Sequence, residues 1–308
     1  MTTLLDMIDE VSMNLSGYTL QQDRATHITA NVAATASTIA APITLSLAST
    51  DSVGKGVIEI DEELFWVDNY DRVGNTATIA PYGRAYLGTT LAAHTAGTKV
   101  TVAPTFPRFV IKRAINDTIS AIGSSIFAAN TTTITSNLST SAFRLPATGN
   151  SLNIRSILAV AYQAIGPSKE WIPIRNWRFD GNANSTAFTS EQTISIYDMI
   201  TSGRTIQVVY STDPVPFTAN TETFTIQTGL PQSCKDLVVL GATYRLLSNL
   251  DPARASMVSP QADETDSKRP YGSSQSLTKQ VYALFNQRLN EEIKNQQDKY
   301  PIRIHYSL

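Results

Sequence analysis

Apolar positions in this chain recur with two different periods, and the switches between them outline its elements. Leu4, Ile8, Val11 and Leu15 fall at i, i+4, i+7 and i+11. That spacing predicts a first helix over 3–15, with Thr3 as N-cap and Gly17 as its stop. An Ala/Thr/Ser-rich lead-in over 23–42 runs into a first strand at Ile43–Leu47. The period then becomes two: Ile58, Ile60, Leu64 and Trp66 alternate with polar residues, Gly74-Asn75 supplies a turn, and Ala77 and Ile79 resume the alternation. Pro104 and Pro107 bracket a junction. Beyond it, Ile111, Ile115, Ile119, Ile122 and Ile126 form one apolar stripe, predicting a helix over 107–128 with Pro107 at its first position.

In the second half strands come first and helices return at the end, with no internal sequence repeat. Residues 131–141 read as a Ser/Thr-rich connection. Strands are expected at Ile157–Tyr162, Trp171–Phe179, Thr193–Tyr197 and Thr205–Tyr210. The separators Gly166-Pro167, Asp180-Gly181-Asn182, Ser202-Gly203 and Asp213-Pro214 are all turn formers, so a small antiparallel sandwich is expected. Ser233 and Asp236 form a candidate capping box ahead of Leu237, Leu240, Tyr244 and Leu247. A polar loop over 251–273 leads to a last helix over 274–298, with Leu277, Val281, Leu284, Phe285 and Ile293 facing inward and Pro301 ending it. Then Ile302, Ile304, Tyr306 and Leu308 alternate with Arg303, His305 and Ser307. Such a strand, with no hairpin partner nearby, either closes a sheet of its own chain or adds to a sheet edge elsewhere.

Composition narrows the class. With 308 residues the chain has room for two domains at about 150 residues each. It is 42% apolar and 16% charged, which is globular with charge below the usual level. One cysteine, Cys234, excludes an intramolecular disulfide. No basic n-region precedes an apolar core at the start, and no run of 18 apolar residues exists, so neither a secretory signal nor a membrane span is expected. The net charge of −2 argues against a general nucleic-acid binder. It is unevenly placed: residues 1–105 hold 5 Lys/Arg against 11 Asp/Glu, and the remainder 19 against 15. The two parts either face different partners or carry ordinary solvated surfaces.

The search for chemistry finds no enzyme constellation. Val53-Gly54-Lys55-Gly56 lacks the spacing of a phosphate loop, and neither a nucleophile elbow nor a His-Glu-x-x-His motif occurs. His27, His94 and His305 lie in three different elements. Cys234 sits at a helix start, where a dipole lowers a thiol pKa, but nothing pairs it with a histidine, and an inert thiol is the expectation. Asp61, Glu62, Glu63, Asp68 and Asp71 raise the question of calcium; strand alternation sends neighbours to opposite faces, so no metal and no cofactor are expected. Trp171, Trp177, Phe179 and Tyr197 fit either a sandwich core or a sugar platform. Arg108, Lys112 and Arg113 fit either phosphate or inter-subunit contacts, or a solvated helix face.

Residues 57–103 carry a pattern that goes further. The run PYGRAYLGTT…AAHTAGTKV resembles a small β module found in structural proteins of long-tailed bacterial viruses, through Gly83, Arg84, Gly88, Thr89, Ala92, His94, Gly97, Thr98 and Val100. Among these, Gly83, Arg84, Gly88, His94 and Gly97 are read as structural. The segments FPRFVIKRAINDTI, AIGPSKEWIPIRNWRFD, TGLPQSCKDLVVLGATYRLL and RLNEEIKNQQDKYPIRIHYSL extend the likeness to head-to-tail connector (adaptor) proteins of such phages. His94 is expected to make a turn hydrogen bond with the neighbouring Thr95, Gly97 and Thr98. The resemblance implies an α+β fold in which a small helical bundle carries two antiparallel β insertions, one small β module and one β sandwich.

On that reading the chain divides into an N-terminal helix and lead-in (1–42), a β module (43–104), a bundle helix (105–130), a sandwich (140–232), C-terminal bundle helices (233–299) and an extended tail (300–308). The resemblance further implies a non-enzymatic virion protein in the neck, assembled in the host cytoplasm without a membrane. It would form a ring, usually of twelve copies, beneath the portal, touch the next neck protein (the stopper), and contact genomic DNA non-specifically. Tyr300, Ile302, Arg303, Ile304, His305, Tyr306 and Leu308 would dock on the portal, and Arg108, Lys112 and Arg113 would face the DNA channel or a neighbouring subunit. The rival roles are neck stopper and a minor tail or receptor-binding protein using the aromatic sandwich.

Overall fold

The computed structural model describes residues 2–16, 24–137, 140–145, 154–167, 169–184, 186–188, 192–248 and 273–301. Its strands are β1 (Arg24–His27), β2 (Thr44–Ser46), β3 (Gly56–Ile60), β4 (Glu63–Asp71), β5 (Thr76–Ile79), β6 (Lys99–Val102), β7 (Ala128–Thr135), β8 (Ala142–Arg144), β9 (Ile154–Gln163), β10 (Trp171–Pro173), β11 (Trp177–Asp180), β12 (Thr193–Ile196) and β13 (Thr205–Thr212). Its helices, among the described residues, are α1 (Leu4–Ser16), α2 (Arg108–Ile122), α3 (Phe224–Thr228), α4 (Lys235–Leu247) and α5 (Ser273–Lys299).

The expected fold class is overturned. The chain is not a helical bundle with small insertions: antiparallel sheets of six, four and three strands dominate it. Period-3.6 stripes are conspicuous in a sequence, whereas Thr-rich strands that draw their partners from far along the chain are not. The chain divides into two compact units, Leu5–Ile115 with Val239–Val281, and Met1–Leu4 with Asn116–Val238 and Tyr282–Leu308.

In the first unit the six strands run in the order β1-β6-β3-β4-β5-β2. The β3–β4 hairpin closes through Ile60 opposite Glu63, so Asp61 and Glu62 are its two loop residues. Asp61 has φ +55°, the positive value that two-residue hairpin loops demand at their start. One face buries Ile28, Leu45, Ile58, Ile60, Phe65, Val67, Ala77, Ile79 and Val100 in a single apolar cluster. β1 pairs with β6 along its whole length, so the stretch read as a lead-in is the edge of the module. α1 buries Leu4, Met7, Ile8, Val11 and Leu15, the face that its periodicity marks.

In the second unit the sheet β10-β9-β13-β7 and the sheet β11-β12-β8 share one apolar core, drawn from Ile154, Val160, Ile194, Ile196, Ile206, Val208 and Tyr210. Antiparallel strands do lie between the turn formers of this stretch. Three boundaries differ. The strand expected over 171–179 is broken at Ile174–Asn176, and its halves β10 and β11 join different sheets. The helix expected to reach 128 stops at Ile122. Next, residues 128–135, taken as part helix and part connection, form β7, paired with β13 from end to end. The β-branched threonines of β7 suit a strand, but without apolar alternation they carry no strand signal of their own. Ser233 makes no capping box: its hydroxyl donates to Glu292 Oε2 at 3.1 Å. Leu284, expected inside, is half exposed.

Candidate functional site

The charged residues of the module converge beneath its surface. Glu63 opens β4 directly after the hairpin turn, and its carboxylate accepts five hydrogen bonds. Oε1 takes Arg84 Nε at 2.7 Å and the Ala85 N–H at 3.0 Å. Oε2 takes Arg84 Nη2 at 2.8 Å, the Ala92 N–H at 3.0 Å and His94 Nε2 at 2.9 Å. Arg84 spends its remaining donors on backbone carbonyls: Nη1 on Ala33 and Thr35, Nη2 on Ala92. All five guanidinium N–H groups are thereby satisfied, and the plane lies 4.7 Å from the centre of the Phe65 ring. Both side chains of the Arg84–Glu63 pair are 1% exposed.

His94 completes the set. Its Nδ1 lies 2.7 Å from Asp61 Oδ2 and its Nε2 lies 2.9 Å from Glu63 Oε2. A carboxylate only accepts, so both ring nitrogens must donate, and the geometry defines an imidazolium. Burial opposes that charge, but hydrogen bonds and attraction from Glu63 and Asp61 prevail, and the His94 pKa stands above its ordinary 6.5. Burial likewise opposes ionisation of Glu63. Arg84, His94 and the Ala92 and Ala85 amides outweigh it and hold the carboxyl at about 2. The expected turn hydrogen bond of His94 is therefore corrected: its backbone bridges Val32, and its imidazole is a buried cation between two acids.

The remaining signature residues shape the loop that delivers Arg84 and His94. Gly83 has no room for a side chain: a Cβ would lie 2.8 Å from the Ala80 carbonyl oxygen and 2.9 Å from that of Trp66. Thr89 accepts the Leu64 N–H through Oγ1 and donates to the Tyr86 carbonyl. Gly97, at φ +90°, turns the chain so that its N–H reaches the Ile28 carbonyl at 2.7 Å. Tyr82, Ala85 and Leu87 all hold positive φ in the same loop, with Tyr82 and Leu87 largely exposed. The network anchors both flanks of this strained stretch.

The other acidic residues work separately. Glu62 pairs with Lys112 at 3.3 Å, and Asp71 Oδ1 accepts the Val73 N–H. Among the described residues no group of His, Cys, Asp and Glu is arranged to hold a metal. The basic candidates on α2 are tied to nearby acids. Arg108 Nη2 meets Asp9 at 2.9 Å, its backbone N–H donates to the buried Glu59 at the helix start, and Arg113 is exposed. Of the aromatic set, Trp177 and Phe179 pack on the core of the second unit, while Trp171 is exposed on β10 and Tyr197 is exposed just past the end of β12, so the four form no single platform.

Cys234 is buried, and burial together with the Glu292 carboxylate pushes its thiol up to about 12. It is an inert thiol and not a dipole-activated one. Of the tail, Tyr300 packs its ring 5.9 Å from that of Phe127, and Pro301 is exposed. Ile302, Arg303, Ile304, His305, Tyr306 and Leu308 lie outside the described residues. Sequence reasoning missed Glu63 as the hub of the module. The signal was present as Asp61 in the β3–β4 turn and Glu63 two residues on at the start of β4, with Arg84 and His94 ten apart in a Gly-rich loop.

No protein-family model matches this chain, and no curated protein is significantly similar to it.

Proposed function

We propose that this chain is a structural, non-enzymatic component of a bacteriophage virion. In this reading it is a head-to-tail adaptor, forming a ring beneath the portal through which DNA passes. The observation that supports this reading is the use of the signature residues. Gly83, Arg84, Thr89, His94 and Gly97, on which the phage resemblance rests, are invested in one internal network or in the loop around it. Every donor of Arg84 and both nitrogens of His94 are committed within the chain, which leaves no proton for chemistry on a substrate. A small sheet locked in this way is a rigid platform for protein contacts.

The ion pairs Arg108–Asp9 and Lys112–Glu62 fit weak, non-specific DNA contact, since those cations already have partners. In this reading the portal and the next neck protein are the partners, and the ring closes by one repeated heterologous contact. The test combines the purified chain with the portal assembly encoded beside it and images the product. A ring on the portal supports the adaptor reading. Attachment only to an already occupied neck identifies a stopper instead. Antibody labelling at the tail tip, with no binding to the portal, overturns the reading.

A further inference from the structure

Two segments of the β module are free of surface charge. Residues 28–50 contain no Asp, Glu, Lys, Arg or His. Residues 80–98 contain only Arg84 and His94, both buried. The segments lie side by side and run in opposite directions. The Ile28 carbonyl accepts the Gly97 N–H at 2.7 Å, and Asn31 Oδ1 accepts the Ala96 N–H at 2.8 Å. Val32 and His94 exchange both backbone bonds, at 2.8 and 2.9 Å. Arg84 reaches the Ala33 and Thr35 carbonyls, and the Ser37 carbonyl accepts the Tyr82 N–H at 2.7 Å. Together they form one continuous strip on the module.

The strip shows large apolar side chains to water. Ile39 is 78% exposed, Tyr82 73% and Leu87 66%, with Leu91 also open. Such a group, on a surface without charge, marks a contact site. Tyr82 and Leu87 also hold φ of +59° and +56°, which is costly for side chains of this bulk. The buried network fixes the backbone on both sides of them, through Arg84, the Ala85 and Ala92 amides and His94, all on Glu63. The two side chains are thereby presented in a fixed form, which lowers the ordering cost of binding.

We infer that this strip is the face through which one copy of the chain meets a second copy. The inference rests on the ring reading above, for which it supplies a contact face. Charge selects the occupant. Residues 1–105 hold 5 Lys/Arg against 11 Asp/Glu, so two copies of the module repel wherever their carboxylates approach. The strip admits a like-charged copy without bringing carboxylates together and without burying a charge. Nucleic acid and anionic lipid both need exposed cations, and the strip offers none.

The experiment measures self-association of the full chain by sedimentation, alone and with the portal assembly. Leu87→Glu and Ile39→Glu are each expected to weaken it by about tenfold or more, as loss of an interface anchor does. Val73→Glu, at an exposed apolar position in the turn beside Asp71 and Arg72, is expected to leave it unchanged. Raising salt from about 50 mM to about 500 mM should strengthen the contact, because screening removes the repulsion between acidic modules. A photo-crosslinking residue in place of Leu87 or Ile39 is expected to capture a peptide of a second copy. Rings on the portal that the two glutamate variants leave intact overturn the inference and keep the adaptor reading. Self-association through the strip with no ring on the portal does the reverse. Crosslinks only to another protein or to lipid, or none at all with and without the portal, overturn the inference.

Discussion

Arg84 grips Glu63 at two points, Nε on Oε1 at 2.7 Å and Nη2 on Oε2 at 2.8 Å, with neither side chain open to water. The pair joins a loop to a hairpin 21 residues earlier in the chain. Breaking a buried pair leaves the other charge uncompensated, which costs about 3–5 kcal/mol. Arg84→Ala and Glu63→Gln are each expected to lose that much in chemical denaturation. Arg84→Lys is expected to recover little, because an ammonium offers no planar fork. The double variant Arg84→Met with Glu63→Leu is expected to be milder than the two single losses added together. Strict additivity would show that the two residues do not act as a unit.

Stability of the module is expected to fall on both sides of a window of pH. For His94 the folded pKa is raised above 6.5. Its contribution is therefore fully present below the unfolded value and is lost as pH rises through the folded one. For Glu63 the folded pKa is depressed to about 2 from 4.5. Its contribution is present above 4.5 and is lost as pH falls toward 2, and at about 1.4 kcal/mol per unit it is on the order of 3 kcal/mol. Thermal melts across pH should flatten on the alkaline side in His94→Gln and on the acid side in Glu63→Gln. Identical profiles in variants and parent would remove the imidazolium from the account.

Gly83→Ala tests the loop. The added methyl meets two backbone oxygens at under 3 Å, and neither can swing away. Overpacking of this kind costs about 1–3 kcal/mol. It should also loosen the Trp66 N–H to Gly83 carbonyl bond of 2.8 Å, so Trp66 fluorescence should shift with it. An unchanged melting temperature would mean that the loop has slack absent from this geometry.

Cys234 should resist alkylation in the native state. Its thiol is buried and titrates at about 12, so the reactive thiolate is scarce at pH 8. Full labelling is expected only after denaturant is added. Glu292→Gln, which removes the neighbouring negative charge, should speed the native reaction modestly. Rapid labelling of the parent at neutral pH would contradict the burial.

Charge removal on α2 separates internal pairing from DNA contact. Arg108→Ala and Lys112→Ala break pairs with Asp9 and Glu62, whose side chains are partly exposed, and each is expected to cost no more than about 1 kcal/mol. Adding Arg113→Ala should change retention on duplex DNA only slightly at about 150 mM salt. Nanomolar, sequence-specific binding by the parent would be the opposite result, in the range of specific binders.

Periodic elements were legible in the residues themselves. α1 and α2 bury the stripes their spacing marks, because a helix satisfies its backbone locally and needs only a face to bury. The turn at Gly74-Asn75 and the strands β9, β12 and β13 were legible for a similar reason, since glycine, proline and asparagine restrict the chain where they stand. Composition also determined, before any fold was known, that no disulfide could form within the chain.

Tertiary structure alone decided the rest. β7 is a strand because β13 lies beside it, and nothing in AANTTTIT announces that partner. The 171–179 run divides between two sheets because its halves find different neighbours. The dominance of sheet over helix follows from such pairings, whose partners lie 70 or more residues apart for β7 and β13. The module's acids looked like a solvated run until folding brought Arg84 and His94 back over Glu63. A strand's hydrogen bonds and a buried charge's counter-ions both come from elsewhere in the chain, so neither can be read from the local residues that need them.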